Sequence, residues 1–283
     1  MPSEKDVNRL LEMAPDAVPL PATTMKIIKL IGDSSSSMQE VAAVMEMDQA
    51  LTARVLRVAN SAYYGLPRQV ASARDAVVLL GQNTLRSLVF TASVSGVLGR
   101  KADGYAMDEG ELWKHSMSVA AASRIIAGYS HRALAEEAYV AGLLHDIGKI
   151  VLDQFMTDEF SETFEYAATH SVPFSDAERE IFGADHAHVG GLLAERWELP
   201  ENYVAAIRYH HDPLASGDMK LLTSIVHIAD LIALELGLGL GADGLQYPMV
   251  AGAFEIAGIT PEQYAEALEK VALIGDEATA LVN

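Results

Sequence analysis

Apolar residues recur along this chain at helical spacing. Leu51, Val55, Val58, Ala59 and Ala62 stand at i, i+4, i+7, i+8 and i+11, one stripe on a helix. Runs that alternate apolar and polar positions, the mark of half-buried strands, are nearly absent. Helix starts are marked as well. Ser37-Met-Gln-Glu40, Ser175-Asp-Ala-Glu178 and Thr260-Pro-Glu-Gln263 have the capping-box form, in which residues three apart satisfy each other's free N–H groups. Pro21, Pro200 and Pro261 sit where a first turn tolerates a missing N–H. Gly81 and Gly99 follow apolar runs and suit left-handed C-caps. The pattern predicts an all-α protein of about a dozen helices, at a mean helix length of about 11–12 residues.

No repeat of fixed period is present. The polar segment Arg100–Gly110 is the best boundary, and Gly237–Gly244 (GLGLGADG) sets off a tail. The expected organisation is an N-terminal helical bundle over 1–105, a multi-helix core over 106–236 and a C-terminal helical tail over 237–283. All nine histidines follow Gly110. Gly239 to Gly244 satisfies G-x-G-x-x-G, but no strand precedes it, so it reads as a connector. Ser72–Leu98 reads as helix, turn at Gly81, then helix. With only Arg74 and Arg86 as basic residues it is a packed corner rather than a DNA reader. Asn60, Ser61, Tyr63, Tyr64 and Gly65 form a polar-aromatic helix end.

Composition narrows the function. Half the residues are hydrophobic and 21% are charged, too apolar for a disordered chain. The net charge of −19 argues against nonspecific nucleic-acid binding and against an anionic membrane surface. The apolar run Leu221–Leu240 is interrupted by His227, Asp230 and Glu235, and so predicts a core helix rather than a membrane span. The N-terminal MPSEKDVNRLLEM has no signal-peptide form. Zero cysteines exclude disulfides, thiolate catalysis and iron–sulfur ligation. The expectation is a cytoplasmic protein without nucleic-acid or membrane partners.

Candidate chemistry centres on LLHDIGK, Leu143 to Lys149. His145 and Asp146 are adjacent in an apolar helical stretch, so their side chains diverge by about 100°. Two metal ions about 3.5–4 Å apart can use both, with Asp146 offering one oxygen to each. Lys149 lies on the same side and can steer an anionic oxygen. Other candidate ligands are Glu111 and His115 (i, i+4), His186 with His188, His210-His211, and His227 with Asp230 (i, i+3). Gly190, one turn beyond His186, permits close packing there. Imidazole plus carboxylate without thiolate suits iron, manganese, zinc, nickel or cobalt. A single histidine in a helix is usually an ordinary core or surface residue. His131 and His170 lie in polar surroundings and read that way. His188 and His227 stay open.

The order His115, His145-Asp146, Asp230 resembles the H…HD…D pattern of the HD superfamily of metal-dependent phosphohydrolases. Its dinuclear branch implies Glu111, Lys149, His186, His210 and His211 as further ligands or site residues. The N-terminal half is closer still to one family. Asp48–Leu66 (DQALTARVLRVANSAYYGL), Leu20–Leu30 and Ser72–Phe90 resemble segments of the HDOD (HD-related output domain) family, and the likeness runs over residues 19 to 230. It implies an all-α fold with an N-terminal bundle packed on an HD-like core, and a bacterial signalling or output role. Many members have lost ligands, whereas this set looks nearly complete. No GYP segment follows His210-His211, where the chain reads DPLASGDMK, so cyclic di-GMP hydrolysis is not expected.

Three functions follow from the resemblance. The first is an output module with a metal-binding core and a protein signalling partner. The second is a phosphohydrolase acting on a phosphate-bearing small molecule, with Asp146 and Lys149 at the reacting centre and one or two divalent ions. The third is a metal-free interaction module. Closure of the site by Trp113, Phe182 or the Asp212–Lys220 loop would mark a relic.

Overall fold

A computed structural model describes residues 20–32, 35–61, 64–66, 68–156, 160–245 and 248–279. Among them there is no strand, only an isolated bridge between Ala102 and Met107. The chain is all-α. Helices α1 (Ala22–Gly32), α2 (Met38–Met47), α3 (Gln49–Ala59) and α4 (Ala73–Leu98) come first. Then follow α5 (Glu111–Ser130), α6 (Ala135–Leu144), α7 (Lys149–Met156), α8 (Phe160–His170), α9 (Phe174–Phe182) and α10 (His186–Arg196). The last are α11 (Glu201–Tyr209), α12 (Lys220–Glu235), α13 (Ala251–Ala257) and α14 (Pro261–Thr279).

Local sequence explains most of these boundaries. The Ser37 hydroxyl accepts from Glu40 N at 3.2 Å, and Glu40 Oε2 accepts from Ser37 N at 2.7 Å. Thr260 and Gln263 exchange the same pair of bonds at 3.3 and 3.0 Å. The third expected capping box is not one. Pro173 is the N-cap of α9, so Ser175 lies inside the first turn and Glu178 is turned into the core. Gly81, at φ +72°, breaks α4 into two segments, as the turn reading expects. Gly99 differs: it caps α4 in the right-handed region at φ −74°.

Two hydrophobic clusters form. The smaller joins Ile27 and Ile31 of α1, Val41 and Met45 of α2, Leu51 and Val55 of α3, and Leu85, Leu88 and Val89 of α4. The larger runs through α5 to α14 and takes Phe90, Val94 and Leu98 from α4. Helix α4 therefore carries two apolar stripes and is shared. It is also the one helix among the described residues with the length and apolarity of a membrane span, but half of that window is buried in packing.

The helix end after α3 is tied down on both sides. Asn60 Nδ2 donates to Val70 O at 2.8 Å and Val70 N donates to Asn60 Oδ1 at 2.7 Å. The Arg124 guanidinium lies 5.6 Å from the Tyr64 ring and 4.0 Å from the Tyr139 ring, linking this corner to α5 and α6. Ala62 and Tyr63 lie outside the described residues. The apolar run Leu221–Leu240 is helical only to Glu235. Gly237 and Gly239, at φ +68° and +66°, turn the chain away.

Candidate metal centre

The HDIG segment is not continuous helix. Helix α6 ends at Leu144, and residues 145–148 form tight turns in which Ile147 N donates to Leu144 O and Lys149 N to Asp146 O, both at 3.0 Å. That bend lets the neighbouring side chains of His145 and Asp146 face one point. Gly148 makes the bend packable. A Cβ there would lie 2.0 Å from His186 O and 2.6 Å from Gly190 N. A Cβ on Gly190 would in turn meet Ile207 at 2.9 Å. Backbone thus touches backbone, and the start of α7 rests on the start of α10, beside His186.

Asp146 is the hub. Its Oδ2 lies 3.4 Å from His115 Nε2 and 3.3 Å from His145 Nε2. Asp230 Oδ1 closes this side, 3.1 Å from His115 Nε2 and 3.8 Å from His145 Nε2. Asp146 Oδ1 faces the other way, 3.3 Å from His186 Nε2 and 3.8 Å from His210 Nε2. His211 Nε2 is 2.8 Å from His186 Nε2. Three groups gather donor atoms within 4.8 Å of one another and could hold an ion: His115-His145-Asp146, His145-His210-Asp230 and His186-His210-His211. Lys149 Nζ donates to Asp146 Oδ2 at 2.5 Å. Of the residues expected at the site, Glu111 alone joins neither these groups nor the Asp146 contacts among the described residues.

The ring nitrogens are sorted by their partners. Nδ1 donates to Leu238 O from His115 (3.1 Å), to Gly142 O from His145 (2.7 Å) and to Ile207 O from His210 (2.7 Å). A carbonyl can only accept, so each Nδ1 holds a proton and each ring turns its Nε2 to the centre. His186 Nδ1 donates to Glu178 Oε2 at 2.7 Å, and the same oxygen accepts from His186 N at 2.9 Å. Tyr105 Oη donates to Glu178 Oε1 at 2.5 Å. Sequence reasoning missed Glu178 and Tyr105. The spacing Ser175…Glu178 offered a cap, and nothing local pointed to His186.

His227 is resolved as a support. Its Nδ1 donates to His210 O at 2.8 Å and its Nε2 accepts from Val250 N at 3.1 Å. His188 and His170 are exposed, His131 is half-buried, and none belongs to the groups above.

The buried carboxylates and imidazoles shift one another. Burial would raise the Asp146 carboxyl, yet His145 and Lys149 hold it well below the usual range. Burial opposes ionisation of Asp230 too, and His115 and His145 outweigh it and keep it low. Burial pulls His186 down, but Glu178 and Asp146 raise it to about 9. Burial and His145 push His210 down to about 3, and burial with His210 and His186 lowers His211. His145 Nε2 and Asp230 Oδ1 are buried and make no hydrogen bond. Buried donors and acceptors of this kind are uncommon, and a cation would satisfy both at once. The residues therefore fit a metal ion.

Access is narrow. Free space at the centre is about 20 Å³, walled by Phe174, Leu234 and Pro248. That is near the size of one water. Trp113 and Phe182 pack in the core instead, and the Asp212–Lys220 loop is not part of the wall. From the chain after α12, Pro248 joins this wall and the segment around Gly239 lies on α5. A Cβ on Gly239 would lie 2.2 Å from Glu111 O and 2.7 Å from His115 N, so only glycine lets the strand of backbone lie on α5.

Comparison with known proteins agrees with this fold. The HDOD domain family matches residues 18–213, and the chain belongs to that family. A crystal structure of an HDOD domain protein of unknown function from Geobacter sulfurreducens is 28% identical, with a TM-score of 0.76 over 99% of this chain and 97% of that one. A Shewanella amazonensis SB2B protein with the provisional name of phosphohydrolase is 26% identical, with a TM-score of 0.73 over 97% and 98%. A Marinobacter aquaeolei VT8 protein, provisionally named for signal transduction, is 25% identical, with a TM-score of 0.78 over 98% of this chain and 63% of that one. The chain spans 42% of the length of the curated relative it matches, an uncharacterized protein of Treponema pallidum (strain Nichols).

Proposed function

We propose that this chain is a bacterial signal-transduction or output module whose helical core holds divalent transition metal, two ions sharing Asp146. The observation that carries this reading is the pair of donor sets on opposite oxygens of Asp146. His115, His145 and Asp230 would serve an ion at Oδ2. His186, His210 and His211 would serve one at Oδ1. Glu111 is the remaining candidate, one turn before His115. Such imidazole and carboxylate sets suit iron, manganese, zinc, nickel or cobalt. The signalling assignment draws on the HDOD family and on the provisional name of the Marinobacter structure. It implies a protein partner. The acidic charge and lack of cysteine fit a cytoplasmic location.

A phosphohydrolase acting on a phosphomonoester or nucleotide is the second reading. Lys149 beside Asp146 favours it, as does the provisional name of the Shewanella structure. When bound, the ions would supply a water of lowered pKa and a hold on phosphoryl oxygens. In that reaction Lys149 would neutralise developing negative charge. The 20 Å³ centre admits an ion but no phosphoryl group unless the wall at Phe174 and Pro248 gives way. The output role is therefore placed first.

Metal content per chain tests the proposal, on protein purified without a chelating tag. Wild type is expected to carry near two equivalents and Asp146→Ala almost none. Glu111→Gln, measured alongside, keeps both ions if Glu111 is not a ligand. Wild type free of metal after reconstitution with iron, manganese and zinc overturns the reading.

A further inference from the structure

A second cavity, of about 370 Å³, lies away from the histidines, between α3 and the end of α4. Arg54 and Arg57 stand three apart on α3 and share a face, and Arg100 follows the C-cap of α4. Val58 and Ala92 form a buried apolar floor, and Ser93 and Ser95 stand beside them. No carboxylate lines this cavity, although the chain has 39 acidic residues against 20 basic ones. Among the described residues, no ion pair engages Arg57 or Arg100. Arg54 is anchored differently: its Nε donates to Ala92 O at 3.0 Å. An Arg held through Nε keeps its two terminal NH2 groups for another acceptor.

Helix dipoles offer a plainer account of the charges. Arg57 is in the last turn of α3 and Arg100 just follows α4, where cations offset the partial negative charge. That account explains the sign of the charge. It explains neither the hollow between the guanidiniums nor the exclusion of carboxylates from a strongly acidic chain.

We infer that this cavity binds a small phosphate-bearing molecule. Guanidiniums present paired N–H donors that match phosphate oxygens. Three of them round one hollow suit a diphosphate better than a single phosphate. The Val58–Ala92 floor would take the apolar or ring portion. The volume falls in the range of small-molecule sites, about 300–1,000 Å³. The site is independent of the metal centre. It adjoins the helix whose opposite stripe packs in the core that carries the histidines.

Calorimetric titration of chelator-treated protein with inorganic pyrophosphate and with adenosine 5′-diphosphate tests the inference. Removing metal keeps the two sites apart, so the outcome does not depend on the metal reading. Wild type is expected to bind at least one probe, with affinity that falls as salt rises. The double variant Arg57→Gln/Arg100→Gln should weaken binding about tenfold or more. The charge-keeping Arg57→Lys/Arg100→Lys should retain part of it. Arg57 and Arg100 are both exposed, and an unchanged melting temperature checks the fold. Three results overturn the inference: no binding of either probe at millimolar concentration, equal binding by the Gln variant, or binding of poly-glutamate but of neither phosphate probe.

Discussion

Asp146 can serve two donor sets because its two oxygens point at different histidines, and because a bend at residues 145–148 aims it inward. Each histidine is in turn aimed by something less visible in the chain. Glu178 is the clearest case, since it fixes the His186 ring through both the backbone N–H and Nδ1. Glu178→Gln keeps the shape and removes the charge. It should weaken metal binding by about 10–100-fold while leaving the ligands themselves intact. Competition with a chromophoric chelator reads this directly, and an unchanged affinity would remove Glu178 from the support of the site. His227 acts at one further remove, through the backbone carbonyl of His210.

Elements meet here through glycine. Gly148 and Gly190 let α7 approach α10 until backbone atoms touch, and that approach sets Asp146 against His186. Gly148→Ala would put a methyl group 2.0 Å from a carbonyl oxygen that belongs to a helix and cannot swing away. We expect a loss of about 3 kcal/mol, near the upper end for overpacking, together with loss of bound metal. Denaturant melts of the metal-loaded and chelated forms give both quantities. A variant as stable as wild type that retains its metal would show that the two helices are free to separate. Gly190 was legible from its spacing after His186. Gly148 and Gly239 were not, because each answers a residue far along the chain.

At the scale of the whole molecule, the candidate ligands sit on α5, the 145–148 turns, α10, the end of α11, and α12, all within the larger hydrophobic cluster. A bound ion therefore adds a further tie among these elements. Ion held at a hundred times its dissociation constant adds about 2.7 kcal/mol to the native state. For a chain of this size, chelation should lower the melting temperature by about 5 °C for each ion lost. Hydrogen exchange should rise in α5, α10 and α12 and stay constant in α2 and α3, which belong to the smaller cluster. Uniform change across both clusters would mean that the ion acts on one cooperative unit.

The sequence by itself determined the helical class, the position of α4 and its break at Gly81, and the capping boxes at Ser37 and Thr260. These depend on residues within a few positions of each other, where side-chain period and N–H satisfaction decide. It also brought forward Asp146 as the hub, because a His-Asp pair beside other histidines has few uses. The tertiary structure decided the rest. It turned Glu178 from a cap into a partner of His186, bent HDIG out of the helix, and closed the centre with Phe174, Leu234 and Pro248 rather than with Trp113 or Phe182. The wall joins segments far apart in sequence, Glu178 meets His186 across the turn between α9 and α10, and the bend seats Gly148 against α10. Which segments meet is set by how the apolar faces of all the helices pack together, and no local pattern records that.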